Sequence, residues 1–147
     1  MFHHRRTAKT TLLDQLPLFR GLPAAQLGLI ARHADQAVVP AATVLAQPGH
    51  LAREVVLVCE GILRVEVAGA TVEQLYPGDT FGELSLLAGR PITATVVAET
   101  PASLVVFDAR SFASVLAAVP AVQRRLLEGI SGRLWQAEAA PLLALAS

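Results

Sequence analysis

The residues whose types and spacing suit chemistry lie between Tyr76 and Ala98, in YPGDTFGELSLLAGRPITATVVA. Gly82 and Glu83 stand directly before a short apolar segment, Leu84 to Ala88, which reads as helix. Glycine ahead of a short helix leaves backbone N–H groups pointing outward, and such groups hold anions. Glu83 has two readings. It can serve a ligand, or it can complement the N-terminus of the helix it begins. A catalytic acid is the weaker choice, because no second carboxylate beside it offers an acid–base pair.

Turns frame this cassette. Pro77-Gly78-Asp79 precedes it, Gly89-Arg90-Pro91 closes its helix, and a β-branched run, Ile92 to Val97, follows. From Gln36 onward, short β-favouring runs alternate with turn residues: Val38-Val39, Thr43 to Ala46, Glu54 to Cys59, Ile62 to Val67, Thr71 to Leu75 and, after the cassette, Ala102 to Phe107. Many short strands at close spacing indicate a sandwich or barrel. Arg64 and Glu66 alternate with Val65 and Val67, a strand with two unlike faces.

Helical patterns flank the strands. Leu12 to Leu16 is stopped by Pro17, and Pro23 to Ala34 puts Leu27, Ile30, Ala31 and Ala34 on one face. Asp14, Arg20 and Arg32 are expected in solvent. Asp108 is placed to cap a helix over Arg110 to Val119. A last helix is expected over Ala121 to Ala140, where Gly129 and Gly132 each cost about 1 kcal/mol against alanine and allow a hinge. Residues 1–11 read as a flexible basic tail, 12–140 as one domain and 141–147 as a short tail.

Composition narrows the function. The chain has 147 residues, 53% apolar, with a mean hydropathy of +0.50. Its 12 basic and 12 acidic residues cancel, which argues against a nucleic-acid surface; the local exception is His3-His4-Arg5-Arg6 with Lys9. The single cysteine, Cys59, excludes an intrachain disulfide and is expected to be a buried, inert thiol. No signal peptide and no membrane span of ~20 apolar residues is evident, so the expected location is cytoplasmic. His3, His4, His33 and His50 show no ligand spacing, and no nucleophile elbow, Walker loop or dinucleotide fingerprint occurs. No enzyme activity, metal or cofactor is expected.

From about Leu16 to Ala139 the chain resembles cyclic-nucleotide-binding domains, as in the catabolite activator protein, protein kinase A regulatory subunits and nucleotide-gated channels. The resemblance rests on LAQPGHLAREVVLVCEG (Leu45 to Gly61), on LYPGDTFGEL (Leu75 to Leu84) and on ATVVA (Ala94 to Ala98) with the strand and helices that follow. It implies an eight-stranded antiparallel jelly-roll barrel (a double-stranded β-helix) with N-terminal helices and two C-terminal helices, without a DNA-binding domain.

The resemblance also implies a stand-alone regulatory or sensor domain. It would bind cAMP or cGMP between the cassette, residues 81–95, and the last helix. Gly82 and Glu83 match the pair that binds the ribose, and the amides of Leu84 and Ser85 would lie near the phosphate. Trp135, with Leu134, would close the site as a lid. The full expected ligand set is Phe81, Gly82, Glu83, Leu84, Ser85, Arg90, Ile92, Thr93, Ala94 and Trp135.

One position departs. The family's phosphate-binding arginine follows the cassette proline, but here Pro91 is followed by Ile92. Isoleucine neither donates a hydrogen bond nor neutralises charge. Arg90 is the candidate substitute, and Thr93 offers a hydroxyl. The expected partners are the nucleotide and an effector protein or second copy through the last helix, where Arg124 and Arg125 are either contacts or a solvated face. The alternative is a degenerate domain of the same fold that binds no cyclic nucleotide and serves protein interaction.

Overall fold

In the structure, a computed structural model that describes residues 4–51 and 53–129, the two most apolar runs form the central pair of strands. The elements are β1 (His4–Thr7), α1 (Thr10–Leu13), α2 (Ala24–His33), β2 (Asp35–Val39), β3 (Val44–Ala46), β4 (Glu54–Glu60), β5 (Leu63–Val67), β6 (Ala70–Leu75), β7 (Thr80–Phe81), α3 (Glu83–Ala88), β8 (Thr95–Ala98), β9 (Ala102–Asp108) and α4 (Ala109–Ala118). A further helix, α5, covers 120–129 and carries the described part of the expected last helix.

All strand pairings are antiparallel. They form a five-stranded sheet, β1-β2-β9-β4-β7, and a four-stranded sheet, β3-β8-β5-β6. The expected closed barrel is therefore replaced, among the described residues, by two sheets in a jelly-roll arrangement. The outer strands explain this. β3 and β7 are short, and prolines at 40, 48 and 77 remove backbone donors beside them.

β4 and β9 show no hydrophobic alternation because both of their faces are buried. Val55, Leu57, Val105 and Phe107 join the helices in one core, with Leu13, Phe19, Ile30, Phe112 and Val122. Their neighbours Val56, Val58, Leu104 and Val106 point the other way, between the sheets, onto Leu45, Leu63, Leu75 and Val96. Phe107 meets Phe19 and Phe112 edge-on at 5.9 and 5.4 Å, an arrangement that suits the ring quadrupoles. On β5, Arg64 pairs with Glu66 on one face at 2.6 Å, but the expected alternation does not carry through: Val65 is half-buried and Val67 exposed, past a register shift between Val65 and Glu66.

Three expectations change. His4–Thr7, read as part of a loose tail, is a strand held by backbone pairing to β2, and Ala8 behind it is buried. The run from Ile92 becomes strand only at Thr95, since Ile92 bonds instead to the 49–50 loop. Arg124 is exposed, but Arg125 is not a solvated surface charge. It donates to the carbonyls of Leu18 at 3.2 Å and Arg20 at 2.9 Å, tying α5 to the N-terminal turn.

Asp108 caps α4 as expected, accepting from Ser111 N at 2.8 Å and from Ser111 Oγ at 3.1 Å. The bond from the Ser111 amide holds its carboxyl below the usual carboxylate range; burial opposes this, and the Ser111 hydroxyl, the Arg110 amide and the Arg110 charge add to the lowering. A depressed carboxyl contributes stability above its unfolded pKa, and the contribution is lost as pH falls through the folded pKa. Asp108→Ala should cost about 1 kcal/mol at pH 7 by denaturant unfolding. The gap from wild type should close once the medium is acid enough to protonate the folded carboxyl.

Candidate functional site: a cavity beneath the cassette helix

The cassette is anchored by a close backbone approach. Gly82 has φ +94°, and a Cβ there would stand 2.4 Å from the carbonyl oxygen of Glu54 on β4. Only glycine fits this conformation and this spacing. The approach sets the start of α3, so Glu83 is its first helical residue, one step earlier than the sequence pattern suggests. Glu83 is 1% exposed, the most buried charged side chain of the described residues.

The segment after α3 folds back onto it. Ser85 Oγ donates to the carbonyl of Arg90 at 2.6 Å, and Gly89 ends the helix in the left-handed region. Ile92 is then fixed on both sides: its N–H donates to His50 O, and its carbonyl accepts from Gly49 N, each at 2.9 Å. Thus the loop 89–94 is closed at one end by α3 and at the other by the β3–β4 connection.

Beneath α3 lies a cavity of about 400 Å³, within the range of small-molecule sites. Phe81, Gly82, Glu83, Ser85, Arg90, Ile92, Thr93 and Ala94 all line it, so the structure gathers these expected site residues in one place. Leu84 belongs to α3, and Trp135 and Leu134 lie outside the described residues. Two neighbouring cavities share walls with it. Phe81 and Ile92 also border a space of about 420 Å³ with Leu45, His50, Arg53 and Val56. Glu83 also borders a space of about 370 Å³ with Leu18, Asp79, Arg125 and Leu126.

Residues 36–118 match the Cyclic nucleotide-binding domain family. The chain belongs to that family. It is 33% identical over 111 residues to a cyclic nucleotide-gated potassium channel of Rhizobium etli, covering 76% of this chain and 31% of the channel. Against the cAMP-dependent protein kinase regulatory subunit of Schizosaccharomyces pombe, identity is 30% over 115 residues, covering 78% of this chain and 28% of that one. The chain thus spans about a third of the length of these curated relatives. The crystal structure of the Thermus thermophilus catabolite activator protein superposes with a TM-score of 0.74 at 26% identity, covering 86% of this chain and 62% of that one.

In this member of the family the cavity is also lined by residues that the sequence pattern did not single out. Val65 pairs with Glu73 on β6 and with Val96 on β8, so the three form one row across the sheet that floors the cavity. Leu75, Ala88 and Pro91 complete the wall. Alternation along β5 carried a signal for Val65. The convergence of these residues with the cassette depends on strand pairings that no local pattern specifies. Elsewhere, among the described residues, no group of three His, Cys, Asp or Glu side chains is gathered to hold a metal, and no helix is long and apolar enough to cross a membrane.

Cys59, expected to be buried, is half-buried. Burial, then the nearby Glu60 charge, pushes its pKa up to about 11. At pH 8 the native protein should react with a thiol reagent far more slowly than the unfolded chain, in which the thiol titrates near its ordinary value. A native rate equal to the unfolded rate would contradict this burial. Gly82→Ala tests the anchor. It should destabilise by at least about 2 kcal/mol, because it imposes both backbone strain and a clash with a carbonyl oxygen that has no room to move.

Proposed function

We propose that this chain is a regulatory domain without catalytic activity, which takes the ribose of a nucleotide or nucleoside in the cavity beneath α3. The observation that carries this reading is Glu83. Removing a carboxylate from water is costly, and the fold buries this one in the wall of a ligand-sized cavity. An ionised carboxylate is a pure acceptor and suits the hydroxyls of a ribose. The ligands of the family, cAMP and cGMP, are the first candidates, in keeping with the cyclic nucleotide-gated channel and the cAMP-dependent kinase subunit among its relatives. A domain of this kind acts in the cytoplasm, where such ligands are made.

The second cavity bordered by Glu83 supplies a route for output. It reaches Arg125 and Leu126 on α5, and Arg125 holds α5 to the N-terminal turn. A ligand that moves Glu83 would alter the packing beneath α5 and so change what that helix offers to an effector or a second copy. Ile92 favours one other reading, a domain that has lost its ligand and serves protein interaction, since it puts methyl groups where charge would be needed for phosphate.

Thermal unfolding with cAMP, cGMP, adenosine and guanosine separates the two. A ligand at 100 times its dissociation constant stabilises by about 2.7 kcal/mol. At least one of the four should raise the Tm of wild type, and Glu83→Ala should remove that shift. No shift with any of them at millimolar concentration would leave the protein-interaction reading in its place.

A further inference from the structure

We infer that the cavity beneath α3 prefers an uncharged ligand, a nucleoside, over the corresponding cyclic nucleotide. This rests on the reading of the cavity as a ribose site and specifies its ligand class. The first support is the charge of the lining. Among the described residues it holds two carboxylates, Glu73 and Glu83, and one basic side chain, Arg90. The charges are unequal in effect. Glu73 and Arg90 are both exposed and offset one another, whereas Glu83 is buried, where solvent screens it little.

The second support is Ile92. Its backbone N–H and carbonyl are both engaged by the 49–50 loop, which fixes its position. Its side chain packs with Phe81 against the core between the sheets, and the two residues separate the cavity from its neighbour. Position 92 is therefore a donor-free wall. A third support is the use already made of the buried one of the two lining hydroxyls: Ser85 Oγ donates to the Arg90 carbonyl, while Thr93 is exposed. The rest of the lining is largely apolar, from Val65, Leu75, Ala88, Ala94 and Val96.

An anion entering this space would lose its hydration, gain no buried cation and approach a buried carboxylate. A nucleoside carries no such cost. Its sugar hydroxyls donate to Glu83, and its base packs on the apolar wall. The same residues that admit the nucleoside thus reject the phosphate, the two halves of specificity. Adenosine and guanosine are the uncharged counterparts of the family's two ligands.

Isothermal calorimetry on the intact chain tests this with adenosine, guanosine, cAMP and cGMP, each at low and at physiological salt. For wild type, a nucleoside should bind at least about tenfold more tightly than its own cyclic nucleotide, and its affinity should not change with salt. Ile92→Arg should reverse the order by supplying a guanidinium for the phosphate. If that variant fails to fold, the wild-type order still decides the question. Tighter binding of cAMP or cGMP to wild type overturns the inference and leaves the ribose site standing. Binding of none of the four overturns the ribose site, and the inference with it.

Discussion

The pairing of β4 with β9 supports everything else in the structure. Each strand is covered on both faces along its apolar stretch, so the apolar residues there belong to one of two cores. Antiparallel hydrogen bonds from Glu54–Asp108 through Val58–Leu104 fix which residue faces which core. A slip by one residue would exchange the two sets of side chains. The helices pack on one side of this ribbon and the second sheet on the other. The domain is thus layered around two apolar strands, with net charge and surface polarity left to the periphery.

The site follows from that ribbon by a short chain of constraints. β7 adds only Thr80 and Phe81 to the edge of β4, and directly after it Gly82 presses against the Glu54 carbonyl. This contact delivers Glu83 into the interior instead of leaving it at a surface helix end. The fold-back from Ser85 to Arg90 and the bonds of Ile92 to the 49–50 loop then complete the enclosure. Glu83 is thereby placed in the walls of two cavities.

Much of this was legible in the sequence because it is local. The glycine and proline punctuation marked the strands, the apolar face of α2 followed its helical spacing, and Asp108 announced its cap. The cassette was legible from its glycines and its acid. What was not legible depends on distant parts of the chain. β1 has no apolar signature, and backbone pairing to β2 alone makes His4–Thr7 a strand. β7 is two residues long and exists because β4 offers it an edge. The row of Val65, Glu73 and Val96 comes from three strands. Arg125 looked like surface charge because its acceptors lie more than a hundred residues earlier. The same locality explains Ile92: the sequence exposed the missing guanidinium, but only the fold showed that the side chain forms a wall between two cavities.

The central claim is that the space beneath α3, with Glu83 in its wall, receives the ligand. Amide chemical-shift mapping by two-dimensional NMR during a titration with adenosine and with cAMP tests this most directly. The account predicts saturable shifts concentrated at residues 82–94 and on the Val65, Glu73 and Val96 row, with smaller shifts at Arg125 and Leu126. Shifts confined to the outer surface of α5, or absent from the cassette at saturating ligand, would contradict it.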